Sequence, residues 1–267
     1  MTSLRLLLTI FALVMVLPGG PALAGVSRCL AVANNMPQAQ FVAFSPAALT
    51  QVEVRLTFVG HSTFLIESAD GVRIATDFTG FAGAGIVPNV VTMNHAHTSH
   101  FTDSPDPRIA HVLRGWNPAG GPAHHDLTLA DVMIRNVPTD IRGYAGIREK
   151  DGNSIFIFET AGLCIGHLGH LHHELEPKDL GVIGQLDVVL VPVDGSFTMA
   201  QASMINVIKL LKARLIIPMH YFGSATLATF LDGMRGDFEV EISLSPVVVV
   251  SALTLPKSPK VLVLPGF

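Results

Sequence analysis

Short hydrophobic runs of strand length dominate the chain from residue 52 onward. Between Val52 and Phe58 apolar and polar positions alternate, which predicts a strand with one buried face. The run from Val188 to Val193 is almost continuously apolar, which is typical of a strand buried on both faces. Further strands are expected at residues 63–67, 72–77, 90–94, 109–113, 132–137, 154–159, 163–167, 214–219 and within 238–263.

Helical spacing of apolar residues is found in the second half of the chain. Met204, Val207, Ile208 and Leu211 share one side of a helix predicted over residues 199–213. A shorter helix is predicted over 227–234. Many strands mixed with a few helices predict one α/β domain built from packed sheets, and we assign residues 25–267 to it.

The first 24 residues follow a different pattern. Arg5 precedes an apolar run from Leu6 to Leu17, which is short for a membrane span, and a segment rich in proline and glycine ends it. Ala22-Leu23-Ala24 then has the small-x-small form of a cleavage site. We therefore predict that residues 1–24 are a signal peptide. The protein should be periplasmic or secreted, with no stable membrane insertion after cleavage.

The composition of the chain indicates which kinds of partner the protein can be expected to bind. The chain has 17 basic and 21 acidic side chains and a formal net charge of −4. Because no basic stripe is present, a nucleic-acid partner is not expected. Only 14% of residues are charged and 49% are hydrophobic, which favours a compact, well-buried globule over a disordered chain. A small-molecule substrate is the expected partner. The sequence leaves the oligomeric state open.

The two cysteines, Cys29 and Cys164, have two interpretations. Export would permit a disulfide between them. Cys164, however, lies in an apolar stretch of strand character, where a buried free thiol is common. We favour the buried thiol.

Histidines are concentrated at the ends of predicted strands. His95, His97 and His100 follow the strand at 90–94, His170 follows the strand at 163–167, and His220 follows the strand at 214–219. Imidazole is the commonest metal ligand near neutral pH, and strand-end loops can bring distant side chains together. These five residues are our candidate metal ligands, of which three or four would bind the metal. Zn²⁺ is the expected cofactor, with Mn and Fe as alternatives.

Several motifs occur in the order found in one enzyme superfamily. They are the stretches Gly60–Glu67, the strand ending in Asp77, His95–His100, Gly166–His170, Val191–Gly195 and Ile217–Tyr221. In these motifs the chain resembles the metallo-β-lactamase-fold hydrolases, especially the ascorbate-6-phosphate lactonase-like and N-acyl-phosphatidylethanolamine phospholipase-like bacterial branch. The resemblance implies an αββα sandwich of two mixed sheets, with the metal site at their shared edge.

The chain also departs from the family pattern in the metal ligands. Ser99 occupies the place of a ligand aspartate, and His170 occupies the place of the bridging aspartate. Residues 137–141 lack a further family histidine, for which Asp140 is a candidate replacement. Two divalent ions repel each other, and bridging carboxylates offset that repulsion. We therefore expect one metal rather than a pair.

The resulting hypothesis is an exported metal-dependent hydrolase. A metal-bound hydroxide would attack a small lactone, ester or amide, with a phosphodiester as a less favoured substrate. His61, His173 and Asp194 are the candidates for moving the proton. One alternative is a catalytically altered metal- or small-molecule-binding protein on the same scaffold. An oxygen-using iron enzyme is a third possibility.

Overall fold

The computed structural model describes residues 27–30, 49–143 and 146–266. The predicted signal peptide, residues 1–24, lies outside these residues. Within them, strands form two mixed sheets. The first sheet has six strands in the order β13-β1-β2-β3-β4-β5. Its strands are β1 (Glu53–Gly60), β2 (Thr63–Glu67), β3 (Arg73–Ala75), β4 (Val90–Met93), β5 (His111–Arg114) and β13 (Val247–Ser251).

The second sheet has eight strands in the order β12-β14-β11-β10-β9-β8-β7-β6. Its centre is parallel, since β10 pairs in parallel with both β9 and β11. Its strands are β6 (Asp126–Leu129), β7 (Val132–Arg142), β8 (Arg148–Thr160), β9 (Leu163–His167), β10 (Val188–Pro192), β11 (Leu215–Met219), β12 (Glu239–Ile242) and β14 (Lys260–Val263). The helices are α1 (Pro177–Ile183), α2 (Gln201–Leu211) and α3 (Ser224–Met234).

The two sheets pack face to face through a continuous hydrophobic core. Leu56 and Phe64 of the first sheet meet Phe156 and Ile217 of the second, all of them fully buried. Burial of such side chains is the main favourable contribution to folding. These sheets and their flanking helices confirm the predicted fold class.

A second core lies on the outer face of the eight-stranded sheet. Met204 and Val207 of α2 and Phe230 of α3 pack there against strand residues such as Val189. The predicted apolar side of α2 is thus the side that is buried. The outer face of the six-stranded sheet is instead covered by loop residues such as Phe78 and Ile109, which pack on Val91 and Met93. No helix of the described segments is long and apolar enough to cross a membrane.

Cys29 and Cys164 form a disulfide, with their Cα atoms 5.9 Å apart, so our preference for a buried free thiol was wrong. Contacts of the two residues before Cys29 explain why the two cysteines lie close together. The Ser27 hydroxyl donates to Glu159 at 2.5 Å, and the backbone N–H of Arg28 donates to the same carboxylate at 2.8 Å. Because Glu159 in β8 is paired with Cys164 in β9, these contacts place Cys29 against Cys164.

The disulfide joins residues 135 positions apart, so reducing it should destabilise the protein. Loss of a native disulfide typically costs about 2–5 kcal/mol, because the unfolded chain gains freedom. We expect urea unfolding of the reduced protein, and of Cys29→Ala, at a lower urea concentration than that of the oxidised protein. Reduction should have no further effect on Cys29→Ala. Equal midpoints for oxidised and reduced wild type would contradict the structure.

Candidate metal centre

Four histidine side chains converge at one edge of the sandwich. Ligand nitrogens of His97, His100, His170 and His220 all lie within 4.8 Å of one another. The Nε2 atoms of His97 and His170 are 2.9 Å apart, and those of His100 and His220 are 3.1 Å apart. His97 is partly exposed and the other three are buried, so the cluster opens to solvent on the His97 side.

The strand ends of both sheets bring these residues together. His97 and His100 lie in the loop after β4 of the first sheet, whereas His170 and His220 follow β9 and β11 of the second. A backbone hydrogen bond joins the two sheets here, since the N–H of His220 donates to the carbonyl of His61 at 2.7 Å. His61 and His220 both have left-handed backbones, with φ of 52° and 54°. Non-glycine residues rarely adopt this conformation, and it tends to occur at functional sites.

Two buried carboxylates orient one pair of histidines. Nδ1 of His100 lies 2.6 Å from Oδ2 of Asp77, and Nδ1 of His220 lies 3.1 Å from Oδ1 of Asp194. A carboxylate accepts from an N–H, so each Nδ1 carries the proton and each Nε2 presents a lone pair. Two lone pairs facing each other at 3.1 Å repel unless a cation lies between them. This pair therefore fits a metal ion.

Both carboxylates are held in the charged form. Burial raises the pKa of Asp77, but His100, His167 and the amide of Asn94 lower it more, and the net pKa lies below the usual value. Burial likewise opposes ionisation of Asp194, yet hydrogen bonds from His220 and Thr198 depress its pKa well below the usual range. An anionic carboxylate behind each imidazole raises its basicity as a metal ligand.

The second pair of histidines belongs to a chain of hydrogen bonds. The backbone N–H of Arg142 donates to Nδ1 of His172 at 2.5 Å, so the His172 proton lies on Nε2. That Nε2 contacts Nδ1 of His170 and donates to it. His170 therefore carries its proton on Nε2 and donates to Nε2 of His97 at 2.9 Å.

The chain of hydrogen bonds continues from His97 through Ser99 to His61. Nδ1 of His97 donates to the Ser99 hydroxyl at 2.7 Å, and this hydroxyl donates to Nε2 of His61 at 2.9 Å. Desolvation and neighbouring histidines lower the pKa of His97 to about 4 and that of His61 to about 3. The same causes also lower the pKa of His170. These imidazoles are neutral at pH 7, the form in which histidine binds a metal.

Three predicted site residues lie away from the cluster's centre. The ring of His95 turns outward and stacks on Trp116 at 5.0 Å, with Nδ1 3.3 Å from Glu149. His173 faces the backbone, where its Nε2 accepts from the N–H of Asp140 at 3.3 Å. Asp194 lies behind His220 and so positions that ring. Asp140, the candidate replacement for the missing histidine, is instead paired with Arg148.

Asn94 is a structural part of the site that the motifs did not single out. Its buried amide donates to Asp77 at 2.8 Å and accepts from the N–H of Ser154 at 2.7 Å, so it joins the two sheets behind the cluster. Gly169, with φ of +59°, passes so close that a Cβ there would lie 2.4 Å from the Asn94 amide. A polar residue at the end of a buried strand, directly before the histidines, was the available signal.

A two-sheet sandwich with a histidine cluster at the shared edge defines the metallo-β-lactamase class of folds. Residues 55–220 match the family described as Beta-lactamase superfamily domain, and the chain belongs to that family. The match runs from β1 to His220 and so includes every residue of the cluster. It confirms the predicted superfamily.

Similar proteins agree with this assignment. A UPF0173 metal-dependent hydrolase from Thermococcus kodakarensis is 26% identical over 196 residues, which cover 63% of this chain and 84% of that protein. One from Methanoregula boonei is 24% identical over 206 residues, covering 72% and 93%. A Thermotoga maritima structure, assigned to the Zn-dependent hydrolases of the metallo-β-lactamase superfamily, is 29% identical. It covers 79% of this chain and 98% of its own, with a TM-score of 0.56.

Neutralising either buried carboxylate should weaken metal binding. Asp77→Asn and Asp194→Asn preserve side-chain size but remove the charge that orients His100 and His220. Loss of such a partner typically lowers metal affinity about 10–100-fold. Competition with a chromophoric chelator would measure this. Asp103→Asn, which changes an exposed carboxylate in the same loop as His100, is the matched control. Unchanged affinity in both buried variants would contradict the orientation described here.

Proposed function

We propose that this chain is a metal-dependent hydrolase that uses a single metal ion, with zinc as the expected metal. The facing Nε2 lone pairs of His100 and His220 are the observation that supports this most directly. His97 has a third Nε2 lone pair, since its Nδ1 donates to Ser99. A metal bound there would replace the hydrogen bond that this Nε2 accepts from His170. Three imidazole nitrogens with a fourth position left open are the ligand set of a catalytic zinc site.

The residues around the cluster favour one metal over two. The family's two carboxylate positions carry Ser99 and His170, and neither side chain can offset the repulsion between two divalent ions. His95 is stacked on Trp116, and Asp140 is paired with Arg148, so neither faces the cluster. These arrangements leave one set of converging ligands.

His170 differs from the other three members in its proton. Its Nδ1 accepts from His172, so its Nε2 carries a hydrogen. We propose that His170 is a hydrogen-bond donor to whatever occupies the open position, rather than a fourth ligand. This refines our expectation that His170 binds the metal.

His61 is the proton-transfer residue that the geometry favours. A bound divalent metal supplies an acidified water and polarises the electrophile. Nε2 of His61 accepts from Ser99, which in turn accepts from His97, so His61 is linked to the cluster by hydrogen bonds. His61 and Ser99 also line a cavity of about 260 Å³, where they can contact substrate. His173 and Asp194, the other two candidates, are engaged elsewhere.

A neutral carbonyl substrate suits the charges near the site. Arg142 lies close to the cluster, but its Nη2 donates to three backbone carbonyls, those of Ser196, Phe197 and Thr198, at 2.6–2.9 Å. One of its guanidinium nitrogens is thus committed to a loop, which makes it a less favourable partner for a phosphate. We propose small lactones, esters or amides as substrates, ahead of phosphodiesters.

Metal removal tests the proposed activity. Chelator treatment should abolish hydrolysis in a panel of lactones, esters, amides and phosphodiesters, and added zinc should restore it. His97→Ala and His220→Ala should lose both metal and turnover. His170→Ala should lose turnover but keep its metal. His124→Ala, in an exposed loop, is the control and should resemble wild type. Hydrolysis that survives complete metal removal would refute the proposal.

A binding protein without hydrolysis is the second candidate. If all four histidines ligate, a tetrahedral metal has no open position, which is typical of structural sites. The mutual approach of the four ligand nitrogens within 4.8 Å favours this possibility. It predicts a metal-loaded protein that is inactive on the whole panel and in which His170→Ala loses the metal. The same variant therefore separates the two candidates.

We also propose that the protein is exported. The sequence pattern of residues 1–24 and the disulfide between Cys29 and Cys164 support this, because disulfides persist in oxidising compartments. The mass of the protein from a periplasmic fraction should correspond to a chain that begins at Gly25. A full-length protein confined to the cytoplasm would contradict export.

A further inference from the structure

Exposed phenylalanine side chains surround the histidine cluster. Phe81, Phe197 and Phe222 are 54%, 59% and 55% exposed, and no other phenylalanine in the described segments is this exposed. An exposed phenyl ring is unfavourable in water, and a group of them usually marks a binding site. We call these three side chains the aromatic rim.

Two members of the rim lie against the cluster itself. The Phe222 ring centroid is 5.3 Å from that of His220 and 5.7 Å from that of His61. The Phe197 ring lies 5.4 Å from Phe222 and 6.4 Å from His97. Exposed apolar surface therefore continues directly into the imidazole rings that would bind a metal.

The third member lies in a cavity that His61 lines. Phe81 and Val59 form part of this cavity of about 260 Å³, together with His61, Ser99 and three threonines. The cavity therefore combines apolar and polar side chains. A molecule whose reactive group lies at the histidines can extend an apolar portion toward Phe81 or toward Phe222.

The Phe197 segment is held rigidly. The N–H groups of Ser196 and Phe197 donate to Asp194, while the carbonyls of residues 196–198 accept from Arg142. Asp194 also orients His220, so one carboxylate positions both a cluster histidine and the loop that carries Phe197. A preformed exposed ring loses little conformational freedom when a ligand covers it.

We propose that the aromatic rim binds an apolar acyl chain attached to the carbonyl that is hydrolysed. The inference rests on the proposed function and specifies its substrate class as medium-chain acyl esters, lactones or amides. A bound acyl chain would cover phenyl rings that otherwise stand exposed to water beside the cluster. A polar or anionic substituent would gain little from these rings.

Binding of two hydroxamates that differ only in chain length tests the proposal. Acetohydroxamate and octanohydroxamate share the same metal-binding group. Each methylene removed from water tightens binding about fourfold, so even partial burial of the chain should favour octanohydroxamate by at least about tenfold. Isothermal titration of the zinc-loaded protein would measure both dissociation constants.

Variants of the aromatic rim test whether these three side chains cause the preference for octanohydroxamate. Phe81→Ala, Phe197→Ala and Phe222→Ala should each reduce the preference for octanohydroxamate, and the triple variant should abolish it. Leu244→Ala removes a fully exposed side chain between β12 and β13 and should keep the preference. Because these side chains are exposed, the variants should fold normally, which thermal melting would verify.

The outcomes separate the two proposals. Equal affinity for the two hydroxamates, or a preference that survives in the triple variant, overturns the acyl-chain site and leaves the metal-dependent hydrolase standing. Failure of both hydroxamates to bind the zinc-loaded protein overturns the proposed function as well. The kinetic counterpart is a lower KM for p-nitrophenyl octanoate than for the acetate, lost in the triple variant.

Discussion

The unfavourable approach of two imidazole lone pairs is the interaction on which this site depends. His100 and His220 face each other through Nε2 because anionic carboxylates hold their Nδ1 protons. Each carboxylate is itself buried and fixed by further hydrogen bonds, Asp77 by Asn94 and Asp194 by the loop after β10. The fold thus places a cation-binding pair where no neutral arrangement of protons relieves the repulsion.

The sandwich makes this approach possible. His100 lies in the loop after β4 of the first sheet and His220 follows β11 of the second, so their separation is set by how the sheets pack at the shared edge. That packing is fixed by the hydrophobic core between the sheets and by the backbone hydrogen bond from His220 to His61. A metal ion that binds here would therefore stabilise the folded protein, since an unfolded chain has no preformed site.

Much of the fold could be predicted from the sequence because its strands are strongly apolar. The structure has strands at nearly all the predicted positions, and α2 buries the predicted residues. The strand β6 was not predicted. Its residues alternate only between exposed and partly exposed, which leaves a weak pattern in the sequence. The disulfide was misjudged because the contacts of Glu159 that bring Cys29 close join residues more than 130 positions apart.

Prediction of the metal site from the sequence was limited in a similar way. Positions at strand ends and the family resemblance could assign His97, His100, His170 and His220 to one region, and the structure brings them together. The sequence could not reveal that His95 turns outward, because that depends on stacking with Trp116 and pairing with Glu149. Nor could the sequence reveal the proton on His170, which follows from a backbone N–H at Arg142. Side-chain direction and tautomer are set by tertiary contacts.

One metal bound by Nε2 of His97, His100 and His220 is the arrangement that we propose for this site. Anomalous diffraction from metal-loaded crystals, recorded at the metal's absorption edge, is the decisive measurement. We expect one peak per chain, about 2.0–2.1 Å from each of these three nitrogens. Two peaks about 3.5–4 Å apart, or a peak bonded to His95, would contradict this arrangement.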